Sequence, residues 1–481
     1  MKHLKSVVAL SVIGCSTLLF ATNGDYLIGL GPKSRALGGA GIAYSLGAES
    51  ALVNPSLIEG KRVMFGGSYF APSVKFKSSV DTTAIGGANS MPDFEESDKL
   101  SSLIPEVAIS YQIDKNTAWG IGMFGIAGMG VDYHKDHPFY GNPFAGHRPS
   151  PVSPQNEYIG TKNGTNQLTT SLQIMSFAIP YAKRINEKLR IGIVPVLQYG
   201  ALSMSFNSGA YQSNGDGTYH NVSTGTGASE DLGIGFQLGL GYDVPDFEIE
   251  KVRVKHLALG MVLKTPIRMK YDHQLSAATQ AFGLRGFGDK LSQPGEIGVG
   301  MAYKLAKDKT ILFDYKYILW GEADGYKDFG WKNQNVFALG YEKKGWQWTW
   351  RFGYNYAKSP IRELSTGPAF DQNGFNYKNY KNAVLNYFNL AGFPATPEHH
   401  FTFGGGKRIN QHTSFDFAVV YAPRISRKFD TSALAQAQTA NMAGGRSMPA
   451  AVAQNLGRVT SESAVEHNQI SITAGLNIKY Y

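Results

Sequence analysis

Cysteine is all but absent: the single Cys15 lies inside the first 21 residues. Lys2 and Lys5, the apolar stretch from Val7 to Phe20 and the small Ala21 read as a secretory signal over 1–21, to be excluded from the fold. Cleavage after Ala21 leaves no thiol, which removes disulfide, redox and thiolate–metal chemistry. Val12-Ile13-Gly14-Cys15 also fits a lipoprotein processing box, so that route stays open beside the first. Long apolar runs are missing too. No uninterrupted stretch of about 18 apolar residues occurs, which excludes helical membrane spans. Charged residues make up only 17% of the chain, and no Lys/Arg-rich run accompanies the formal charge of +9, so no nucleic-acid partner is implied. Nucleotide signatures are incomplete. Gly29-x-Gly31 is followed by Ser34 where a third glycine is needed, and Gly404-Gly405-Gly406-Lys407 lacks the spacing of a phosphate loop. His399 and His400 are neighbours on a strand pattern and point to opposite faces, so they cannot share a metal. No metal, cofactor or catalytic constellation is expected.

What the chain does have is alternation. Trp346, Trp348, Trp350, Phe352, Tyr354 and Tyr356 are aromatic, while Gln347, Thr349, Arg351, Gly353 and Asn355 between them are polar or glycine. Side chains alternate faces along a strand, so this strand is apolar along one side and wet along the other. Its length suits the about 9–11 residues that cross a bilayer as a tilted strand. The same pattern occurs in Leu232, Ile234, Phe236, Leu238 and Leu240 against Gly233, Gly235, Gln237 and Gly239, and again from Ile470 to Tyr480.

Fourteen such runs can be counted, near 61–77, 103–113, 117–131, 166–183, 188–207, 229–243, 252–271, 289–305, 310–323, 332–342, 346–357, 397–408, 413–429 and 468–480. Their connections alternate in length. Short turns fall near 114–116, 184–187, 244–251, 306–309, 343–345 and 409–412. Long loops fall at 78–102, 132–165, 208–228, 272–288, 358–396 and 430–467, with 324–331 the one short member. An even strand number with short turns at one end and long loops at the other predicts an all-β, 14-stranded antiparallel transmembrane β-barrel over 61–481. Pro105, Pro180, Pro195 and Pro266 fall within these runs and should each mark a bulge or a strand end, since proline cannot donate to the ladder.

Residues 22–60 break the pattern. They are glycine-rich and compact, and contain Lys33-Ser34-Arg35-Ala36-x-Gly38-Gly39-Ala40-Gly41 and the Asn54-Pro55 step. With Ile104-Pro105, Trp350-x-Phe352-Gly353-Tyr354 followed by Lys358-Ser359-Pro360, and Phe393-Pro394 leading into Glu398-His399-His400, these pieces resemble the FadL family of outer-membrane transporters for long-chain fatty acids and other hydrophobic compounds. The chain is also similar to the TodX-type aromatic-hydrocarbon transporters. The resemblance implies a barrel plugged by an N-terminal hatch over 22–60, carrying Lys33, Arg35, Gly38, Gly39, Asn54 and Pro55. It implies a kinked third strand that opens the wall, where Gly125, Gly128 and Gly130 sit. It also implies surface loops that first capture the solute; the apolar stretch 376–393, with Tyr387, Phe388 and Phe393, is the candidate, and packing of that loop on the barrel mouth is the other reading.

Alternation places Lys316 and Arg351 on the lumen face, roughly 10 Å apart across two strand spacings, with Ala338 between them. Together they would pair a substrate carboxylate; Asp314, on the same face as Lys316, competes for it. The expected function is passive uptake of a hydrophobic small molecule by a monomer in the bacterial outer membrane, both termini on the periplasmic side. Its other partners are outer-membrane lipid and lipopolysaccharide, toward which the positive excess would turn. A surface-interaction barrel, adhesin or structural, is the alternative; an outer-membrane lipase would need a Ser and a His converging near the membrane face.

Overall fold

The computed structural model describes residues 22–87, 89–91, 93–133, 168–213, 219–224, 227–249, 252–371, 374–442 and 454–480. Residues 1–21, where a signal is expected and where Cys15 falls, lie outside them. Fourteen strands form the wall: β1 Arg62–Asp81, β2 Ser102–Gln112, β3 Thr117–Tyr133, β4 in two pieces (Leu168–Ala178 and Tyr181–Arg184), β5 Leu189–Ser213, β6 Ala228–Asp243, β7 Leu257–Lys264, β8 Glu296–Ala306, β9 Lys309–Ile318, β10 Gln334–Lys344, β11 Trp348–Ala357, β12 His399–Arg408, β13 Thr413–Asp430 and β14 Thr460–Lys479. Each pairs antiparallel with the next, and β14 closes on β1 from Thr460↔Asp81 to Lys479↔Arg62. Closure leaves no terminal edge strand, the condition for crossing lipid with strands.

The outward face is the apolar one. Ile234 is 68% exposed and Phe236, Leu238 and Leu240 follow it along β6. On β11, Trp348 and Trp350 stack at 5.4 Å, and Trp350 stacks on Phe403 of β12 at 5.8 Å. Trp346, in the turn before β11, is 85% exposed, as suits an aromatic girdle at a membrane interface.

Two of the four prolines mark a strand end and two do not. Pro180 interrupts β4, and Pro266 follows the end of β7. Beyond it only the isolated bridges Ile267↔Gln293 and Lys270↔Lys290 remain, so β7 and β8 are shorter than their sequence runs. Pro105 corrects the expectation: it lies within β2 in unbroken register opposite Gly67 of β1, neither a bulge nor a strand end, and is only the first residue past the last β2–β3 pair, Glu106↔Phe124. Pro195 is a correction: it lies in unbroken register opposite Phe236, with no bulge and no strand end. Its carbonyl accepts from Ile179 N, so its missing donor faces the gap in β4, where no ladder bond is lost. At the other end, β14 begins at Thr460, eight residues earlier than its apolar alternation, because the loop-level part of its outward face carries Thr460, Glu462 and Glu466 in place of apolar side chains.

Residues 22–60 lie inside the barrel. They comprise a short hairpin (Thr22–Asn23 with Tyr26–Leu27), helix α1 Gly31–Ala36, a turn at Gly47–Glu49, helix α2 Ser50–Val53 and a turn at Pro55–Leu57. Glycines on the lumen face make room for this backbone. A β-carbon on Gly353 would lie 2.1 Å from Gly38 N, and one on Gly239 would lie 2.2 Å from Asn54 Oδ1. Of the glycines on β6, Gly239 and Gly241 mark where strand and inner segment touch, while Gly233 and Gly235 make room for Ile267.

The long loops fold over the opposite end. They carry α3 Leu275–Ala281, α4 Tyr377–Ala391 and α5 Ser432–Met442. The inward faces of α4 and α5 are buried, with Leu385, Phe388 and Leu390 on the first and Ala433 and Leu434 on the second.

Candidate substrate cavity

The inner segment is held by buried polar contacts to the wall. Arg35 forks onto Glu106 of β2, with Nη2 donating to Oε1 at 2.7 Å and Nη1 to Oε2 at 2.8 Å. Nη1 also donates to Ser68 Oγ of β1 at 2.6 Å. Lys33 pairs with Glu49 at 3.1 Å and donates to Asn477 Oδ1 of β14 at 3.0 Å. Gly38 and Gly39, both at positive φ, turn the chain after α1. Their carbonyls accept from Asn355 of β11 at 3.0 Å and Lys316 of β9 at 3.3 Å. Asn54 caps the next turn by accepting from Ser56 N at 3.0 Å, with Pro55 at the first turn position, and donates to Leu240 O of β6 at 3.0 Å. Asp314 accepts from Gly41 N at 2.8 Å and Ile42 N at 2.9 Å.

Between this segment and the wall lies a cavity of about 90 Å³. Tyr26, Leu27, Leu30, Leu52 and Val53 form its inner side, and Ile126, Val196, Ile267 and Ile318 line it from the wall. Its charged lining residues are Lys264, Glu296 and Lys316, beside neutral polar groups such as Gln198 and Gln237. Lys264 and Glu296 form an ion pair at 3.1 Å. Among the described residues, Lys316 makes no ion pair, and its Nζ donates only to the Gly39 carbonyl. Asp25, beside the cavity, is fully buried and accepts from the Tyr326 hydroxyl and, at 3.3 Å, from Gln293 Nε2. Burial pushes its carboxyl up to about 7 against the pull of these two donors.

One side of the cavity abuts a break in the wall. β2 and β3 pair only from Glu106↔Phe124 to Gln112↔Ala118. Beyond that point β3 carries a bulge between Gly125 and Ala127, with Ile126 the extra residue. A β-carbon on Gly125 would lie 2.5 Å from Ile104 Cγ2 of β2. The edge that β3 loses there is taken by the hairpin: Tyr26 pairs with Ala127, and Gly128 N donates to Asp25 O at 3.0 Å. Gly128 and Gly130 line a void of about 20 Å³ at this break, room for about one water.

The structure does not bring Lys316 and Arg351 together as a clamp. Arg351 is buried in an ion-pair network away from the cavity, with Nε on Glu342 Oε2 at 2.8 Å and Nη1 on Asp416 Oδ1 at 2.7 Å. Ala338 does not face open lumen but packs with Leu37, Ala40 and Ala43 of the inner segment. Asp314 is engaged by backbone N–H groups of that segment and makes no ion pair with Lys316. Tyr387, Phe388 and Phe393 are buried at the barrel mouth, where Phe388 meets Phe282 at 5.0 Å and Tyr387 meets Phe76 at 5.7 Å. They form the floor of the folded loops and present no open docking patch.

Sequence reasoning had no signal that would single out Ile126, whose role comes from a one-residue bulge. Lys264 and Glu296 fall on the lumen face by the same alternation as Lys316, but alternation alone does not show that the three share a cavity.

No protein-family model matches the chain. A curated protein of Chlorobium limicola, an uncharacterized protein in the phosphoenolpyruvate carboxykinase gene 5′ region, is 47% identical over 53 residues, covering 11% of this chain and about a quarter (26%) of its own length. Solved structures match far more of it. A Pseudomonas aeruginosa FadL homologue superposes with TM-score 0.59 at 12% identity, covering 95% of this chain and 100% of that one. The Ralstonia pickettii toluene transporter TbuX gives 0.55 at 16% identity, with 95% and 100% covered. The P. putida toluene transporter TodX gives 0.57 at 15% identity, with 94% and 99% covered. The fold of this chain is that of the FadL-type channels.

Proposed function

We propose that this chain is a FadL-type channel of the outer membrane that carries hydrophobic small molecules inward as a monomer, by passive transport. The observation that carries the reading is the junction of cavity, hairpin and wall break. Tyr26 lines the cavity and at the same time fills the missing edge of β3. A shift of the hairpin would open the cavity toward the gap between β2 and β3. The structural neighbours named as toluene transporters support the same solute class. The short-turn end, where β14 finishes and β1 begins, is placed in the periplasm, and the long loops outside, by the usual construction of such barrels.

The cavity's size bears on the solute. A dry apolar cavity of roughly 150 Å³ holds benzene, so about 90 Å³ seats only the end of a larger molecule until the inner segment moves. Its charge bears on the solute too. Lys316 donates only to the Gly39 carbonyl, while Glu296 and Asp314 interact with its charge from further off, so a solute carboxylate, which must be paired when it loses water, would compete with them for it. Losing one partner of such a buried pair costs about 2–5 kcal/mol.

The test is uptake by a strain lacking the gene, complemented with the wild type or with Lys316→Met. The wild type should restore uptake of oleate, toluene or both. Lys316→Met should lose oleate uptake selectively if the solute is a carboxylate; equal loss of both, or none, removes the cation from recognition. No restored uptake of any hydrophobic solute returns the chain to the surface-interaction class.

A further inference from the structure

At the short-turn end the lumen widens into a bowl of about 320 Å³ that the transport reading does not use. It lies between the turns 345–347 and 409–412 and the end of β14. Six cationic side chains line it, Lys33, Arg62, Lys344, Arg351, Arg408 and Lys479, and Asp416 is the one carboxylate among its lining residues. Two more carboxylates reach it from behind: Glu49 pairs with Lys33, and Glu342 with Lys344 and Arg351. Six cations against three carboxylates leave a surplus of three. The surplus has an address. Among the described residues, the side chains of Arg62, Arg408 and Lys479 make no ion pair or hydrogen bond.

Their placement makes the surplus costly without an anion. Lys479 and Arg62 are direct partners across the β14–β1 seam, and both face the bowl. Like charges directly opposite on one face of a sheet destabilise it. Arg408 stands opposite Ser414, which stands opposite Asn477. That places it about 10 Å, two strand spacings, from the end of β14. A concave site with one sign of charge focuses its field on an incoming counter-ion.

We propose that the bowl binds a phosphate oxyanion, carried by the headgroup of a phospholipid in the adjoining leaflet or by free phosphate. Two observations favour phosphate over other anions. Arg62 and Arg408 supply guanidinium forks, which match the paired oxygens of a phosphate, and Lys479 adds a point charge. The rim sits at headgroup depth: Trp346 lines the bowl and is exposed, and Lys407 lies 5.4 Å over the Trp348 ring in the same aromatic belt.

The test uses the full-length barrel in zwitterionic detergent, probed with inorganic phosphate and with dioctanoyl phosphatidylglycerol. Acetate at matched ionic strength is the control. Binding is read by native mass spectrometry and by the temperature at which the folded band converts on unboiled gels. Both probes should bind, and Arg62→Gln/Arg408→Gln/Lys479→Gln should weaken them about tenfold or more. Binding of phosphatidylglycerol alone assigns the site to lipid; binding of phosphate alone assigns it to a soluble source. The proposal is overturned if neither binds, if acetate acts as well as phosphate, or if the triple variant binds like the wild type. If the triple variant fails to fold, Lys479→Gln alone, expected to weaken binding in the same direction, decides the matter by the same readouts.

Discussion

Removing the Arg35 guanidinium would leave the Glu106 carboxylate buried in the lumen with no cation beside it. Breaking a buried pair from one side typically costs about 3–5 kcal/mol, because the surviving charge keeps its desolvation cost. Arg35→Met should therefore lower the urea midpoint of the folded barrel by a corresponding amount. Arg35→Met with Glu106→Leu should recover much of it, and a double variant no more stable than the single one would rule out this account. Asp25 gives a pH dependence of known sign. Its folded value, about 7, lies above the ordinary 3.8, so the folded chain holds an extra proton between them. Stability from this group is full below about pH 4 and is lost as pH rises toward 7. Amide exchange of residues 22–30, corrected for its intrinsic pH dependence, should be better protected at pH 5 than at pH 8, and Asp25→Asn should flatten the difference. An equal response in Asp25→Asn would place the titrating group elsewhere. These partners were poorly legible in the sequence for a definite reason. A strand's partners depend on register, and Glu342 meets Arg351 only because the turn spans 345–347. The apolar pattern centres that turn two or three residues early, which moves every cross-strand neighbour.

At the scale of elements, period-two alternation is local, so the number of strands, their order and the sorting of short turns from long loops could be read directly from the chain. The bulge could not, because Gly125-Ile126-Ala127 satisfies the alternation as well straight as bulged. It emerges only when β3 is set against β4, where Gly125 meets Met175 and Ala127 meets Ile174. Deleting Ile126 should restore one-to-one pairing along that seam and draw β3 toward β2. If the break between them is the exit, uptake should fall while the heat-modified gel shift stays as in the wild type. Uptake at the wild-type level would make the bulge a packing feature only. The loop helices teach the converse. The apolar face of α4 was plain in the sequence, but its burial against Phe282 and Phe76 depends on a loop and on the end of β1, both far from it in the chain.

For the whole molecule, the wall and its contents are separable in energy. The wall closes through β14 and β1 without using any residue of 22–60, and backbone pairing around a closed ring is what lipid demands. The contents rest on the wall through glycine contacts and the buried pairs of Arg35 and Lys33. Deleting residues 24–56 should therefore leave a barrel that still folds and shifts on unboiled gels. Its lumen would then expose Glu106, Asp314, Lys316 and Arg351 to water, a lining of both signs able to conduct small ions. Planar-bilayer recordings should show steady conductance where the wild type shows little, and saturable uptake of the hydrophobic solute should disappear, because Tyr26, Leu27 and Leu30 leave with the segment. A folded deletion variant with unchanged conductance and unchanged uptake would mean that residues 24–56 neither block the lumen nor build the binding cavity, and transport would then need a path that avoids both.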